Sequence, residues 1–541
     1  MAIAAPSYAS GPSDQPLLGE TIGDILARIA STHPDTEALV DFPSGRRWTY
    51  AQLNADVRGL AAGLLRAGVR PGDRVALWAP NCAEWVLLQH ATGVMGAILV
   101  NVNPAYRTHE LSYVLRQSSS RMVVTIPAFK TSDYRAMIEE VQPDCPALES
   151  VIYIGEEGWR SLSEDAASGP ELDEVAAGLS FDDPINIQYT SGTTGFPKGA
   201  TLTHHNIANN GYFTGEVLGY TPADRICVPV PFYHCFGMVI GNLAALTHAS
   251  CVVIPAPAFE PAATLRAVAA ERCTSLYGVP TMFIAMLAEP CRTELDLSSL
   301  RTGMMAGSPC PVEVMKRVIN DMGMTEVTIG YGMTETSPVS TQTRIGDDLD
   351  RQTGTVGRVH PHVEIAICDP ETNQVVPRGT RGEFRSRGYL VMRGYWEESD
   401  KTAEAIDAAG WMHTGDLAEM GADGYVRIVG RIKDTIIRGG ENIAPREVEE
   451  FLYTHPQIVD VQVVGVPDEK FGEELCACVR LAEGASLDAA AVREFCTGKI
   501  SHHKIPRYVV VVEDYPMTVT GKVQKFQLRD QMAERLGLSA D

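Results

Sequence analysis

Basic residues are scarce in this chain. Lys and Arg number 45 against 68 Asp and Glu, a formal net charge of −23. Duplex-coating proteins neutralise phosphates with clustered Lys and Arg, so that balance excludes a nucleic-acid-binding role. A small polyanion stays possible, because a site can reverse the sign locally. The 12 cysteines include no Cys-x-x-Cys, and the nearest pair, Cys476 and Cys478, sits inside a strand-like run. Scattered thiols of this kind predict buried, reduced cysteines in a cytoplasmic protein, not a zinc site or a disulfide framework. No apolar run reaches about 18 residues, and residues 86–100 are broken by Gln89 and His90, so a membrane span is not expected. No amphipathic basic helix is evident, which limits membrane contact to a peripheral one. The first basic residue is Arg28, so neither a secretory signal nor a mitochondrial presequence is expected. No internal repeat of roughly 20–50 residues is visible.

What remains is an ordinary globular chain. Its 541 residues correspond to three or four folding units at about 150 residues each. Residues 1–17, rich in Ala, Ser, Pro and Gly, are expected to be a flexible N-terminus. From there helical and strand patterns alternate. Ile22, Leu26 and Ile29 share one stripe, and Thr49 with Gln52 reads as a capping box opening a helix faced by Leu53, Val57, Leu60, Leu64 and Leu65. Residues 74–78, 122–126, 151–154, 227–230 and 251–254 read as buried strands. This alternation to about residue 330 predicts an α/β architecture of mainly parallel sheets. Between about 353 and 430 short strands lie between Gly, Pro and Asp turns, predicting an antiparallel, barrel-like region. Residues 434–541 read as a compact α+β unit with helices near 445–452 and 487–495 and strands at 459–466 and 475–481.

The most informative segment is Tyr189-Thr190-Ser191-Gly192-Thr193-Thr194-Gly195-Phe196-Pro197-Lys198-Gly199. It follows a strand-like run, 185–189. Its glycines let the backbone approach a ligand, its hydroxyls donate, and Lys198 adds one charge, which together make an anion cradle. It is not a Walker loop, because Lys198 is followed by glycine and a strand-like run rather than by a helix.

At this string the chain resembles the adenylate-forming superfamily of acyl-CoA synthetases, adenylation domains and luciferases. Further motifs follow in the family's order over residues 20–535. The resemblance implies a large domain over residues 18–430, a hinge at 431–433 and a small mobile C-terminal domain from 434 to 541. It implies that Thr190, Ser191, Gly192, Thr193, Thr194, Gly195 and Lys198 hold the phosphates of ATP. Gly307 and Ser308 follow Ala306 and would line the adenine and acyl pocket. In Tyr331-Gly332-Met333-Thr334-Glu335, Tyr331 would stack adenine, Thr334 would touch the α-phosphate and Glu335 would hold Mg²⁺. Asp416, after a Gly turn, would accept the ribose hydroxyls. Arg431 would reach ribose and phosphate, Lys433 would be the pivot, and Gly439 and Gly440 would wall a tunnel for coenzyme A. Lys522, in Pro516-Met517-Thr518-Val519-Thr520-Gly521-Lys522, would bridge carboxylate and α-phosphate. Alone, Lys522 reads as a surface lysine and Asp416 as a turn residue; their ordered company gives them these roles.

The substrate is read from Pro231-Phe232-Tyr233-His234-Cys235-Phe236-Gly237. His234 matches the family position that abuts the acyl carboxylate. Amino-acid-activating members carry an Asp nearby to pair an ammonium, and residues 232–238 hold no acid. A buried site without a counter-charge disfavours an ammonium group. His234, Phe236, Gly237, Met238, Ala306 and Gly332 would therefore line a channel for an apolar tail. The expected activity is an ATP-dependent fatty-acid–CoA ligase, with ATP, Mg²⁺ and coenzyme A. A fatty acyl-AMP ligase loading a carrier protein and an aryl-CoA ligase are its rivals within the class. A non-catalytic nucleotide-binding scaffold is the rival outside it, and the presence of Lys522, Glu335 and Asp416 together argues against that.

Overall fold

In a computed structural model, residues 5–163, 169–190, 197–308, 310–439, 441–518 and 523–538 are described. Two of the sheets carry the α/β part. One runs Gly394–Tyr395, Lys198–Thr203, Pro184–Thr190, Ile98–Asn101, Arg74–Trp78, Met122–Thr125, Ser150–Tyr153. The other runs Arg358–Val359, Val339–Gln342, Glu326–Gly332, Thr302–Ala306, Ser275–Gly278, Arg225–Cys227, Cys251–Ile254, Glu37–Asp41, Arg46–Thr49. In the first sheet the pairs from Pro184–Thr190 to Ser150–Tyr153 are parallel and those at the Gly394–Tyr395 end antiparallel; in the second the central pairs are parallel and both flanks antiparallel. The central strands are buried along their length, as parallel strands under helices must be. The capping box at Thr49 forms: its Oγ1 accepts the Gln52 N–H at 3.3 Å, and the Gln52 side chain accepts the Thr49 N–H at 2.9 Å. The helix it opens, Tyr50–Arg66, buries the five predicted apolar residues.

The predicted antiparallel region is a third sheet, Tyr8–Ser10, Val363–Cys368, Gly382–Gly388, Met412–Met420, Val426–Arg431. Its first strand lies in the segment expected to be flexible. Tyr8–Ser10 pairs antiparallel with Glu364–Ala366, and the Tyr8 hydroxyl donates to Glu364 at 2.6 Å. Local composition carries no trace of this, because the pairing is made by a distant, otherwise open sheet edge. The run 227–230 is a strand only at its start. Val228 and Val230 are fully buried but continue beyond the ladder that ends at Cys227.

A fourth sheet gathers the C-terminal residues. Ile458–Asp468 pairs along its length with Gly472–Leu481, which also meets Ile436–Arg438 and, in parallel, Tyr508–Val511. Its two faces carry separate cores. One packs the helices Pro445–Leu452 and Ala489–Cys496, the other the helix Lys525–Arg535. All 12 cysteines are free thiols, ten of them buried. Among the described residues, no helix is long and apolar enough to cross a membrane.

Candidate active site

Pro184–Thr190 and Lys198–Thr203 are antiparallel neighbours, with Thr190 opposite Lys198. The Thr190 hydroxyl donates to the Lys198 carbonyl at 3.4 Å. The two strands therefore pair as neighbours, and Lys198 opens a strand rather than a helix, which distinguishes this motif from a Walker loop. Ser191, Gly192, Thr193, Thr194 and Gly195 lie outside the described residues, as do Gly440 and Lys522. Lys198 Nζ sits 4.8 Å above the ring of Tyr395.

The strand Glu326–Gly332 ends at Tyr331 and Gly332, next to the end of Thr302–Ala306. Tyr331 packs edge-on against Phe384, with ring centroids 4.9 Å apart, and its hydroxyl donates to Asp416 Oδ2 at 2.7 Å. Burial first, then the Asp416 carboxylate, raises the Tyr331 phenol well above its ordinary value, so it stays a donor. Asp416 lies in the strand Met412–Met420, directly after Gly415, whose φ is +69°. Its other oxygen accepts Arg431 Nε at 2.8 Å, and that carboxylate holds the guanidinium above its ordinary value. Sequence neighbours fifteen apart thus meet by cross-strand pairing of Asp416 with Arg431. Each carboxylate oxygen keeps a second lone pair for a further donor. Behind the turn, Glu383 Oε1 accepts the Gly415 N–H at 3.2 Å while its other oxygen accepts Arg385 Nε at 2.8 Å, a buried pair.

Thr334 and Glu335 begin a single tight turn, Thr334–Thr336, and both are buried. The Tyr395 hydroxyl donates to Glu335 Oε1 at 2.8 Å. Cys235 Sγ lies 3.5 Å from Thr334 Oγ1, so residues 99 apart in sequence join the 231–237 segment to this turn. His234 Nδ1 accepts the Phe236 N–H at 3.1 Å, which leaves the neutral ring's proton on Nε2. Phe236–Leu243 then forms a wide π-type helical stretch, buried throughout, with no acidic residue. Gly237 and Gly332 are glycine for a packing reason: a Cβ would lie 2.4 Å from the Pro231 carbonyl oxygen at Gly237, and 1.7 Å from that of Pro338 at Gly332. Met238 is enclosed, its sulfur accepting from Asn101 and Gln188 at 3.5 and 3.6 Å.

Glu335 suits Mg²⁺ as a single hard carboxylate. No group of three or more His, Cys, Asp or Glu that could cage a metal occurs among the described residues. Mg²⁺ bound by one carboxylate plus substrate phosphates needs no such cage.

The small domain contacts the large one through the helix Pro445–Leu452. Glu447 accepts Arg381 at 2.6 Å and also pairs with Lys504. Ile432–Asp434, containing Lys433, is one short turn before this unit. Gly439 donates its N–H to the Phe471 carbonyl at 2.8 Å. The basic stretch 499–529 carries a local charge of +4 in sequence, but folding cancels it. Arg507 pairs with Asp468 at 2.7 Å, Lys525 with Glu449 at 2.5 Å, Arg529 with Glu473 at 3.0 Å, and Lys504 with Glu447. The acids come from residues 447–473, outside the counted stretch. Tyr395, Glu383, Arg385 and Cys235 were not singled out as site residues in the sequence. Each acts through a partner 2 to 99 positions away, and no motif spacing marks it.

Residues 26–396 match the family of AMP-binding enzymes, and residues 447–522 match the AMP-binding enzyme C-terminal domain. YngI of Bacillus subtilis, named as an acyl-CoA synthetase, is 48% identical over 97% of this chain and 99% of its own length. The mitochondrial medium-chain acyl-CoA ligase ACSF2 of Danio rerio is 46% identical over 98% of this chain and 91% of its own. The crystal structure of ATP-bound MatB from Rhodopseudomonas palustris superposes with a TM-score of 0.86 at 31% identity, covering 95% of this chain and 99% of that one. ATP and coenzyme A fit this family as substrates. The chain therefore belongs to the AMP-binding enzymes and is an acyl-CoA synthetase-type acid–thiol ligase of that family.

Proposed function

We propose that the chain is a medium-chain fatty-acid–CoA ligase that works in two steps around one pocket. The observation that carries this reading is the contact between Cys235 and Thr334. It sets an apolar, acid-free wall directly against the turn assigned to the α-phosphate, so a carboxylate at the end of an alkyl chain would meet phosphorus there. The relatives named as acyl-CoA synthetase and medium-chain acyl-CoA ligase support the same substrate class. Burial of alkyl groups contributes about 0.8 kcal/mol per CH₂, so eight carbons supply several kcal/mol.

In the first step a carboxylate oxygen attacks the α-phosphorus of ATP and the bond to the β-phosphate oxygen breaks, giving acyl-AMP and pyrophosphate. Tyr331, Asp416 and Arg431 hold the nucleoside, Thr190, Lys198 and the loop between them hold phosphate, and Lys522 bridges the reacting groups. Mg²⁺, held by Glu335, would neutralise charge on the phosphates. In the second step the coenzyme A sulfur attacks the acyl carbonyl, its proton leaves, and AMP departs. The mixed anhydride is needed because a carboxylate is a poor electrophile. Between steps the small domain turns about Lys433, withdrawing Lys522 and bringing Gly439 and Gly440 alongside pantetheine.

The test is ATP–pyrophosphate exchange driven by octanoate, by 8-aminooctanoate and by free α-amino acids. Octanoate alone should drive exchange. Equal exchange with the amino compounds contradicts the acid-free wall as the source of selectivity.

A further inference from the structure

Tyr395 touches two of the charged groups assigned to the triphosphate and belongs to neither motif. It lies on Gly394–Tyr395, a short strand beside Lys198–Thr203, with Tyr395 opposite Ala200. The backbone fastens this strand on both sides. Trp396 donates to the Gly199 carbonyl at 2.7 Å, Arg393 to Thr201 at 3.0 Å, and Met392 to Glu335 at 2.9 Å. The Tyr395 N–H donates to Thr402 Oγ1 at 2.9 Å. The residue is 8% exposed. Its hydroxyl donates to Glu335 Oε1 at 2.8 Å, and its ring face lies 4.8 Å from Lys198 Nζ.

A carboxylate and an ammonium placed near each other in a buried site tend to pair directly, and such a pair would spend both charges on each other. Tyr395 offers each a neutral partner instead: a hydroxyl for Glu335 and an aromatic face for Lys198. We propose that Tyr395 is a positioning residue that spaces the Glu335 carboxylate from the Lys198 ammonium, so that metal-side and phosphate-side charges reach the triphosphate separately. The inference rests on the nucleotide reading of this site and names the residue that sets its charge geometry.

The experiment is calorimetric titration of the full chain with ATP, once with Mg²⁺ and once with EDTA, so the readout is binding rather than turnover. Tyr395→Phe keeps the ring and removes the hydroxyl. It should weaken ATP binding about tenfold with Mg²⁺, the loss expected for one charge-assisted hydrogen bond, and change it less than about twofold with EDTA. Tyr395→Leu removes both partners and should weaken binding in both media. Glu335→Gln and Lys198→Ala serve as references. If Glu335→Gln alters Mg²⁺-dependent binding while Tyr395→Phe matches the unmodified protein in both media, the spacer is refuted and the metal assignment stands. An equal loss with and without Mg²⁺ in Tyr395→Phe also refutes it. If Glu335→Gln leaves Mg²⁺-dependent binding unchanged, the metal assignment and the inference fall together. The melting temperature of Tyr395→Phe should fall, since the buried Glu335 carboxylate loses a donor, so the titrations are run well below it.

Discussion

Asp416→Asn tests the proposed nucleoside clamp with little cost to the fold. In the native chain one Asp416 oxygen accepts from Tyr331 at 2.7 Å and the other from Arg431 at 2.8 Å. An asparagine amide can satisfy both neighbours. Its oxygen accepts from Arg431, and its NH₂ donates to the Tyr331 hydroxyl, which turns from donor to acceptor. What the amide cannot do is accept a second ribose hydroxyl, because one oxygen has become a donor. A hydrogen bond to a charged group contributes about 1.5–3 kcal/mol, so ATP affinity should fall about 10- to 150-fold. The assay is calorimetric titration with ATP, 2′-deoxy-ATP and 3′-deoxy-ATP. The native protein should bind at least one deoxy analogue at least about tenfold more weakly than ATP. Asp416→Asn should bind ATP and at least one of the analogues the native chain disfavours about equally, because one of the two ribose acceptors is gone. If the variant discriminates as strongly as the native chain, Asp416 is not the ribose acceptor.

Three further outcomes are expected. Lys522→Ala should nearly abolish ATP–pyrophosphate exchange yet spare thioester formation from supplied acyl-AMP; equal loss of both half-reactions would remove the role given to this lysine. Lys433→Pro, which locks φ in the short turn Ile432–Asp434, should keep exchange and stall thioester formation, and normal thioester turnover would dismiss the pivot. Hydrogen bonds from Arg387 and Tyr8 hold Glu364 below its ordinary value of 4.5. A depressed carboxylate contributes stability above its unfolded value and loses it as pH falls through the lower folded one. Docking of Tyr8–Ser10 should therefore loosen progressively as pH falls below 4.5, faster hydrogen exchange at these amides reporting it. Glu364→Gln should exchange at a rate independent of pH once intrinsic rates are divided out, and a persistent pH step would point to another group.

Much of the architecture is readable in the chain because local rules and the fold agree. The capping box at Thr49, the strand at 74–78 and the helix at 445–452 appear where periodicity and caps place them. The misses share one cause. Tyr8–Ser10 is a strand only because the edge of Val363–Cys368 pairs with it. The positive stretch 499–529 looks like an electrostatic attractant until Glu447, Glu449, Asp468 and Glu473 fold against it. Tyr395 and Glu383 were invisible for the same reason: each matters through a tertiary partner, and neither spacing nor composition records such a partner. The small residues at 237 and 332 were legible as glycines, and the structure adds a packing reason, the close approach of Pro231 and Pro338.

The central claim is transfer of an alkyl acyl group to coenzyme A through acyl-AMP. The most direct measurement is AMP release across straight-chain acids from C4 to C18 and several aryl acids, with and without coenzyme A. The account predicts steady AMP release that requires coenzyme A, is greatest for medium-chain acids, and is weak for aryl acids. Acyl-AMP that forms but stays bound whether or not coenzyme A is present, and is discharged only by a carrier protein, would contradict it.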